Sequence, residues 1–382
     1  MQKIGFLLPR SSFYDTMGFD LFEGLRSGLQ HIEKDDVKII IENISFGADK
    51  QQCYRCAEKL VLEENVAIVV AYIGHRMAEL LKPLFLATNK ILLVLDSGAS
   101  MPQEWPTCSS IFYHSLQNAF GAWLTAQKAV KEGYQTGGMV TNYYDGGYLH
   151  TYSITKGYEW AKGTICFNHA TGFKPEDFTM EPLQNHLSQN PNSALLSLFS
   201  GDFTQWYFAE LKKWFENKDV PVYLSPFGLE ETMLDNAVFA SNKISGVAAW
   251  SRNIATPENK IFIETITASG RNANLFTLLG WESASIINKI LELLEIHKNN
   301  TSSIAAELMS FDFESPRGKI SFDSKTNTAI SPLYDVSIKE NKGYCEIVVN
   351  GTIDNIKSEF ETFSTLNLDN AVSAWFNSYT CN

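Results

Sequence analysis

The feature of this chain that most constrains its fold is a regular alternation of short apolar runs with helix-like patterns. Residues 4–8, 37–41, 67–71 and 91–95 have the length of strands buried on both faces, and amphipathic stretches separate them. Strands separated by helices need right-handed crossovers, which produce a parallel sheet covered on both sides. The sequence therefore predicts an α/β fold with a doubly wound, Rossmann-like sheet.

The alternation restarts near residue 138, which predicts a second lobe of the same kind. The apolar runs of this half are residues 138–141, 165–167, 194–198 and 220–224. Near the end, residues 333–338 and 345–349 flank Asn341-Lys342-Gly343, a pattern typical of an antiparallel hairpin. A chain of 382 residues is also too long for one ordinary core and suits two domains.

Composition excludes several classes of partner. The formal net charge of −12 argues against nucleic acid and against an anionic membrane surface, because both favour Lys and Arg. There is no apolar stretch of the length that spans a bilayer, so no membrane insertion is expected. Met1 is followed almost at once by a strand pattern without a signal peptide. Either the protein stays in the cytoplasm or an export signal has been removed.

Motifs for catalysis and for cofactors are missing. The sequence has no Gly-x-Gly-x-x-Gly, Walker-type, Gly-x-Ser-x-Gly or His-Glu-x-x-His motif, so we expect no enzyme, no cofactor and no metal. The six cysteines are Cys53, Cys56, Cys108, Cys166, Cys345 and Cys381. Cys53 and Cys56 lie in a helical pattern that favours buried thiols over a redox or metal pair. Cys345 and Cys381 pair only if the protein is exported, and this stays open.

Loops that follow the predicted strands carry side chains suited to binding a ligand. Phe13 and Tyr14 are two large rings on a loop that should be exposed, which favours a binding surface over an ordinary capped loop. Arg76 follows the third strand beside His75 and can pair with a ligand carboxylate, although a solvated surface arginine is the alternative. Residues 97–102, the serine loop below, offer backbone amides and hydroxyls at a strand's carboxyl end, where open α/β sheets bind ligands.

Seven short segments of the chain resemble motifs of one protein family and occur in the same order as in that family. Pro9, Ser11, Tyr14 and Gly18 resemble the Pro-x-Ser-Gly-x-Tyr opening of type I periplasmic binding proteins. The other segments that resemble motifs of this family are Gly74-His75 and residues 97–102, 142–147, 225–228, 279–282 and 315–322. Over residues 3 to 340 the order and spacing are similar to those of the branched-chain amino acid receptors. These are the Leu/Ile/Val-binding-like substrate-binding components of ABC importers.

The resemblance implies two lobes that hold a ligand in the cleft between them. Three crossings would join the lobes, near residues 112–116, 247–252 and 323–332. Lobe one would then consist of residues 1–116 and 250–325, and lobe two of residues 117–249 and 326–382. Carried over by position, Ala78, Gly98, Ala99 and Ser100 would grip a ligand carboxylate, with Ser97 beside them. Tyr144 would contact the ligand from lobe two.

One departure from the family changes the expected ligand. Phe227 stands where the family has the acidic partner of a ligand ammonium group, and a buried unpaired charge is costly. An organic acid with an apolar body is therefore the first expectation, with Phe13, Tyr14, Tyr144 and Trp281 as further walls. An amino acid that uses Asp202 as the substitute carboxylate is the second, although Asp202 equally suits a helix N-cap.

The favoured function is thus a solute-binding protein that closes on a small organic ligand and delivers it to ABC permease subunits. It is expected to be a monomer in the periplasm or another extracytoplasmic space. A ligand-sensing receptor or regulator of the same fold, without a transport role, is the alternative, and an enzyme acting in the cleft is the third.

Overall fold

The computed structural model describes residues 2–34, 36–102, 104–105, 108–172, 174–215, 220–235, 237–241, 243–369 and 371–380. The strands are β1 Gln2–Leu8, β2 Val37–Asn43, β3 Ile68–Tyr72, β4 Ile91–Asp96, β5 Ile111–Ser115, β6 Thr136–Thr141, β7 Thr164–Ala170, β8 Ser193–Leu198, β9 Val222–Leu224, β10 Ile244–Ala248, β11 Asp312–Phe313, β12 Ile320–Asp323, β13 Thr328–Ile330, β14 Tyr334–Asn341 and β15 Tyr344–Thr352. The helices are α1 Met17–His31, α2 Lys50–Glu58, α3 His75–Thr88, α4 Asn118–Lys131, α5 His150–Trp160, α6 Glu181–Gln189, α7 Asp202–Phe215, α8 Glu231–Leu234, α9 Pro257–Ala268, α10 Leu275–Ile296, α11 Thr301–Leu308 and α12 Ile356–Ser364.

Two mostly parallel sheets form the two lobes, as the alternation predicts. The first sheet has the strand order β11-β12-β13-β5-β4-β3-β1-β2, and the second has β15-β14-β10-β9-β8-β6-β7. The β11–β12 and β12–β13 pairs of the first sheet are antiparallel. In the second sheet β14 pairs antiparallel with β10 and with β15, which confirms the predicted hairpin around Lys342. The predicted fold class is confirmed.

Each sheet reverses its strand order at one point, and this positions the candidate site. In the first sheet β1 lies between β2 and β3, so the loops after β1 and β3 diverge. In the second sheet β6 lies between β7 and β8, and the loops after β6 and β8 diverge in the same way. Such reversals leave a crevice at the carboxyl ends of the strands, where open α/β sheets bind ligands.

The chain passes between the sheets three times, between β5 and α4, between β10 and α9, and between β13 and β14. Two details differ from the expected crossings. Residues 112–115 are part of β5, which pairs with β4 inside the first sheet. Residues 328–330 form β13, which pairs with β5 and so extends the first sheet beyond the boundary expected at residue 326.

Helix α4 is the largest element that the apolar pattern does not reveal. Nearly every residue from Asn118 to Val130 is buried, because the helix packs against β9, β10, α5 and α12. A helix that is buried all round has no polar face and therefore no amphipathic periodicity. Helices α1 and α10, by contrast, pack closely on each other because Gly24, Gly28 and Gly280 have no side chains at their contact.

Candidate functional site

The loops at the carboxyl ends of the two sheets face each other across an interlobe cleft, and they touch directly. The hydroxyl of Tyr14, after β1, donates a hydrogen bond to the carboxyl of Glu230, after β9. The Leu149 amide donates to the Ala99 carbonyl at 3.3 Å. Because groups of both lobes are within hydrogen-bond distance, the structure represents a closed arrangement of the cleft.

The C-terminal segment, defined here as residues 371–380, lies inside this cleft. The Ser11 hydroxyl donates to the Tyr379 carbonyl at 2.6 Å, and the Ser12 amide donates to the Thr380 carbonyl at 3.1 Å. Both donors belong to the loop after β1, at the reversal of the first sheet. The backbone of the segment therefore uses polar groups of the very crevice that a ligand is expected to enter.

Further contacts with the first lobe continue along the segment. The Tyr72 hydroxyl donates to the Ser378 carbonyl at 3.4 Å, and the Asn377 side-chain amide donates to the Tyr72 carbonyl at 3.3 Å. The hydroxyls of Ser97 and Ser378 are hydrogen-bonded to each other. Ser97 is one of the residues predicted to bind the ligand, and in the structure its hydroxyl is hydrogen-bonded to Ser378 of the same chain.

The second lobe holds the same segment from the other side. The Ala374 amide donates to the Gly147 carbonyl at 2.8 Å. The Trp375 indole donates to the Tyr144 carbonyl at 2.6 Å, and the two rings are stacked with centroids 5.5 Å apart. Tyr144, predicted to contact a ligand from lobe two, thus contacts the C-terminal segment.

An aromatic pocket at the centre of the cleft encloses the ring of Tyr379. The centroids of Phe227, Tyr14 and Phe276 lie 5.0, 5.3 and 5.6 Å from its centroid, all in edge-to-face geometry. The Asn118 side-chain amide donates to the Tyr379 phenol oxygen at 3.2 Å. Burial raises the pKa of this phenol well above its usual range, so the group stays neutral. The pocket accepts a phenol ring.

Arg76 also contacts the C-terminal segment, while His75 packs beneath it. The Arg76 guanidinium donates to the Ser373 carbonyl at 2.8 Å and lies 3.8 Å from the centroid of the Phe376 ring. The His75 ring stacks on Tyr113 at 4.4 Å. Burial lowers the pKa of His75 to about 4, so it is neutral near pH 7.

Two amides of the serine loop, residues 97–102, donate hydrogen bonds to nearby side chains of the same chain. The Gly98 amide donates to the Asp96 carboxylate at 3.0 Å, and the Ala99 amide donates to the Ser97 hydroxyl at 3.2 Å. Gly98 has a φ of +66°, a left-handed conformation that favours glycine. Ser100 lines a cavity beside the loop. The loop lies at the cleft, and the amides of Gly98 and Ala99 have hydrogen-bond partners within the protein itself.

Two of the cavities beside the C-terminal segment are lined by predicted site residues. The smaller, of about 440 Å³, lies between the segment, the start of α3 and the serine loop. The larger, of about 660 Å³, lies between the segment and the loops after β1, β6 and β8. Its aromatic lining residues are Phe13, Phe46, Tyr143, Tyr144, Tyr148, Phe203, Trp206, Trp375 and Phe376. Asp202, the first residue of α7, also lines the larger cavity.

Two predicted site residues lie away from the cleft. Ala78 is fully buried in α3, and its amide donates to the Gly74 carbonyl within the first turn of that helix. Trp281 lies on α10, where its ring packs against His31 and Phe262. Trp281 therefore contributes to the contact between outer helices rather than to a wall of the cleft, because its side chain lies on the face of α10 that packs on α1.

Glu230 is a site residue that the sequence analysis does not identify. It follows Phe227 by three positions, and its carboxyl accepts a hydrogen bond from Tyr14 in the centre of the cleft. Burial raises its pKa to about 8, with the neighbouring Glu231 charge acting in the same direction. A buried carboxyl thus lies near the aromatic pocket, neutral near pH 7 and able to ionise beside a cation.

Replacing Glu230 with glutamine is expected to reduce the loss of stability that occurs as the pH rises from about 5 to about 9. The folded protein keeps a proton on this carboxyl up to pH of about 8, whereas the unfolded chain releases it near its ordinary pKa of 4.5. Stability therefore falls as the pH rises through this window. The Glu230→Gln variant should lose on the order of 3 kcal/mol less than the wild type between about pH 5 and pH 9.

Urea unfolding at the two pH values measures this difference. The matched control is Glu176→Gln, which makes the same chemical change at an exposed position. An equal loss of stability in the wild type and in Glu230→Gln would contradict the assignment of a buried neutral carboxyl.

Metal sites and membrane spans are not found among the described residues. No group of three or more His, Cys, Asp or Glu side chains in that part of the chain can hold a metal ion. No helix within the described ranges is long and apolar enough to cross a membrane. Cys53 is buried and Cys56 partly buried, and burial raises the pKa of the Cys53 thiol to about 12. Cys345 is a free thiol, and its possible partner Cys381 lies outside the described residues.

Comparison with solved structures supports the same architecture. A solute-binding protein of an ABC transporter from Rhodopseudomonas palustris BisB5, in complex with 3,4-dihydroxybenzoic acid, has a TM-score of 0.73 at 16% identity and covers 94% of this chain and 99% of its own. A substrate-binding protein from Sphaerobacter thermophilus has a TM-score of 0.77 at 16% identity, covering 93% and 98%. A solute-binding protein from R. palustris in complex with 4-hydroxybenzoate has a TM-score of 0.75 at 16% identity, covering 93% and 97%.

At this level of identity the structural likeness shows the fold alone, and the sequence itself shows the family. No curated protein matches the chain in sequence. The family model described as periplasmic binding protein, however, matches residues 1–343. That match includes both sheets up to the turn between β14 and β15, together with the loops that form the cleft. The chain therefore belongs to the periplasmic binding protein family.

Proposed function

We propose that this protein is an extracytoplasmic solute-binding protein that closes on a small organic acid with an apolar, aromatic body. The observation that carries the proposal is the pocket of Tyr14, Phe227 and Phe276, which encloses a phenol ring between the lobes. Edge-to-face packing around a ring is a favourable arrangement for an aromatic ligand. Structural relatives in complex with 3,4-dihydroxybenzoic acid and 4-hydroxybenzoate support the same ligand class.

The polar groups around this pocket suit a ligand that carries oxygen acceptors. The hydroxyls of Ser11 and Tyr72 and the amide of Ser12 all donate to carbonyl oxygens in the cleft. Arg76 donates to a further carbonyl at the cleft's edge. A carboxylate or phenol oxygen can accept from the same donors, and charge-assisted bonds of this kind are the stronger ones. Oxygen donors and aromatic walls together define a site for an aromatic acid.

Delivery to ABC permease subunits, in the periplasm or an equivalent space, follows from the family and belongs to the same proposal. We assign no chemical turnover to the cleft. The moving bodies are the two lobes, and the hinge consists of the crossings at residues 115–118, 248–257 and 330–334, where the chain leaves one sheet for the other. A ligand that contacts both lobes binds the closed state better and so shifts the population towards it.

A second candidate function is ligand sensing without transport. The observation that favours it is the C-terminal segment in the cleft, because a ligand that releases a bound segment produces a signal at the protein's surface. The acidic residues support a second ligand class, an amino acid. Asp202 at the larger cavity, or an ionised Glu230, could partner the ammonium group of an amino acid.

Thermal shift assays on the full chain test the ligand class. We expect 4-hydroxybenzoate to raise the melting temperature as its concentration rises, since a ligand at 100 times its Kd stabilises by about 2.7 kcal/mol. Leucine should have a smaller effect than its deaminated analogue, 4-methyl-2-oxopentanoate. The compounds should be recovered unchanged. Tight leucine binding that survives Asp202→Ala would contradict both ligand hypotheses. These are the organic acid and the amino acid whose ammonium group pairs with Asp202.

A further inference from the structure

We propose that the interlobe cleft is a peptide-binding site whose resident ligand is the protein's own C-terminal segment, residues 371–380. A solute must displace this segment in order to bind. The second statement rests on the proposed function, whereas the first rests on the contacts of the segment alone. The two are therefore tested by different probes below.

The first step of the argument is that the segment and a solute need the same donors. Three consecutive residues, Ser378, Tyr379 and Thr380, place their carbonyls on the Tyr72 hydroxyl, the Ser11 hydroxyl and the Ser12 amide. The three donor groups lie at the carboxyl ends of β1 and β3, where the strand order of the first sheet reverses. This is where the oxygen atoms of a solute would bind. A hydroxyl has one proton to donate, so occupation by the segment excludes the solute from these donors.

The second step is that Tyr379 occupies the aromatic pocket as a ligand would. The residue is 3% exposed, and its backbone has a φ of +63°. A bulky residue other than glycine rarely adopts this left-handed conformation, which is unfavourable for an L side chain. Here the ring contacts of Tyr14, Phe227 and Phe276 hold it in place. The segment thus has a shape set by the pocket rather than by its own preference.

The third step is that the segment bridges the lobes. Residues 377–380 bind loops of the first lobe, while Ala374 and Trp375 bind Gly147 and Tyr144 of the second. An occupant that contacts both lobes favours the closed state in the same way as a solute. Because the segment is tethered, its effective concentration at the cleft is in the millimolar range, and a free solute competes against that.

Displacement has a measurable consequence for affinity. The apparent Kd of a solute equals its intrinsic Kd divided by the fraction of protein whose cleft is vacant. Weaker binding of the C-terminal segment to the cleft raises the fraction of vacant protein. The variant Tyr379→Ala should therefore bind 4-hydroxybenzoate at least ten times more tightly than the wild type. The matched control is Tyr344→Ala, which removes an exposed ring of the β14–β15 hairpin and should bind as the wild type does.

The decisive experiment uses full-length proteins and a synthetic, fluorescently labelled peptide with the sequence of residues 371–380. Fluorescence anisotropy should show at least tenfold tighter peptide binding to Tyr379→Ala than to the wild type or to Tyr344→Ala. A peptide with alanine at the position of Tyr379 should not bind. Hydrogen exchange on the wild type adds a readout that needs no variant, since 4-hydroxybenzoate should speed exchange at the Ala374 amide.

The outcomes separate the inference from the proposed function. Peptide binding to Tyr379→Ala without any binding of 4-hydroxybenzoate would support the resident segment and contradict the ligand class. Equal affinity of all three proteins for 4-hydroxybenzoate, with no peptide binding, would overturn the resident segment and leave the proposed function standing. If Tyr379→Ala does not fold, rapid exchange of the Ala374 amide in the untreated wild type would likewise overturn it.

Discussion

Replacing Arg317 with methionine is expected to destabilise the protein by about 3–5 kcal/mol. The Arg317 side chain is fully buried, and its guanidinium donates two hydrogen bonds to the Glu282 carboxylate, each 2.9 Å long. His114 lies 2.9 Å from the same carboxylate, and burial lowers its pKa, so it is neutral. Methionine would leave the Glu282 charge buried without a cation, and such an unpaired charge is costly.

Urea unfolding measures the loss, and two further variants test its cause. Lys319→Met breaks an exposed ion pair with Glu314, and should change stability by less than about 0.5 kcal/mol. Adding Glu282→Met to Arg317→Met removes the unpaired charge, and should recover part of the loss. A loss from Arg317→Met that is no larger than that from Lys319→Met would contradict the buried ion pair.

The same ion pair predicts a response to acid. Burial by itself raises the pKa of Glu282, but the Arg317 charge and the hydrogen bond from His114 outweigh it and lower the pKa to about 2. A lowered pKa stabilises the folded state above the ordinary value of 4.5, and this contribution is lost as the pH falls towards about 2. In Arg317→Met this acid-sensitive contribution should be smaller.

The buried ion pair lies beside the crossings that connect the two lobes. Arg317 also donates to the Ser115 carbonyl at 3.1 Å, where β5 leaves the first sheet. The Tyr334 hydroxyl donates to the Arg317 carbonyl at 3.0 Å, where β14 begins the return to the second sheet. Arg317 therefore contacts two of the three crossings, one through its guanidinium and the other through its backbone carbonyl. Arg317→Met removes the guanidinium contact to Ser115, and this should disturb lobe closure as well as folding.

Replacing Gly280 with alanine is expected to cost about 2–3 kcal/mol. A Cβ at this position would lie 2.2 Å from the Leu21 carbonyl oxygen and 2.7 Å from the Leu25 nitrogen, both backbone atoms of α1. Backbone atoms cannot rotate away, so α1 and α10 would have to separate. In a helix, alanine is more favourable than glycine by about 1 kcal/mol. A net loss of stability would therefore mean that the clash between α1 and α10 outweighs this gain in helix propensity.

Gly351→Ala is the matched control, because no atom lies within 4 Å of the added Cβ. Its stability should stay within about 0.5 kcal/mol of the wild type in the same urea titration. The Gly280→Ala variant should in addition loosen the aromatic pocket, because α10 also carries Phe276, whose ring contacts Tyr379. Stability equal to that of Gly351→Ala would contradict the close packing of α1 and α10.

How far the sequence predicts the site depends on the range of each interaction. Tyr14, Arg76, Ser97 and Phe227 can be placed at the cleft because each follows a recognisable strand, and parallel strands end at one edge of a sheet. Trp281 cannot be placed in this way. The pattern identifies α10 as a helix, but only packing on α1 decides which face Trp281 occupies. Glu230 is missed because its importance comes from burial and from the Tyr14 hydroxyl across the cleft.

The sequence by itself determines the α/β class, the two lobes and the loops that line the cleft. These features follow from local periodicity, because a strand or helix must bury its apolar side wherever it lies in the chain. Only the tertiary structure decides what occupies the cleft. Residues 371–380 have no strand or helix pattern, and their partners are far away in sequence, as in the bond between Tyr72 and Ser378, 306 residues apart. Such a contact leaves no local signal, since it forms only after both lobes have folded and brought their loops together.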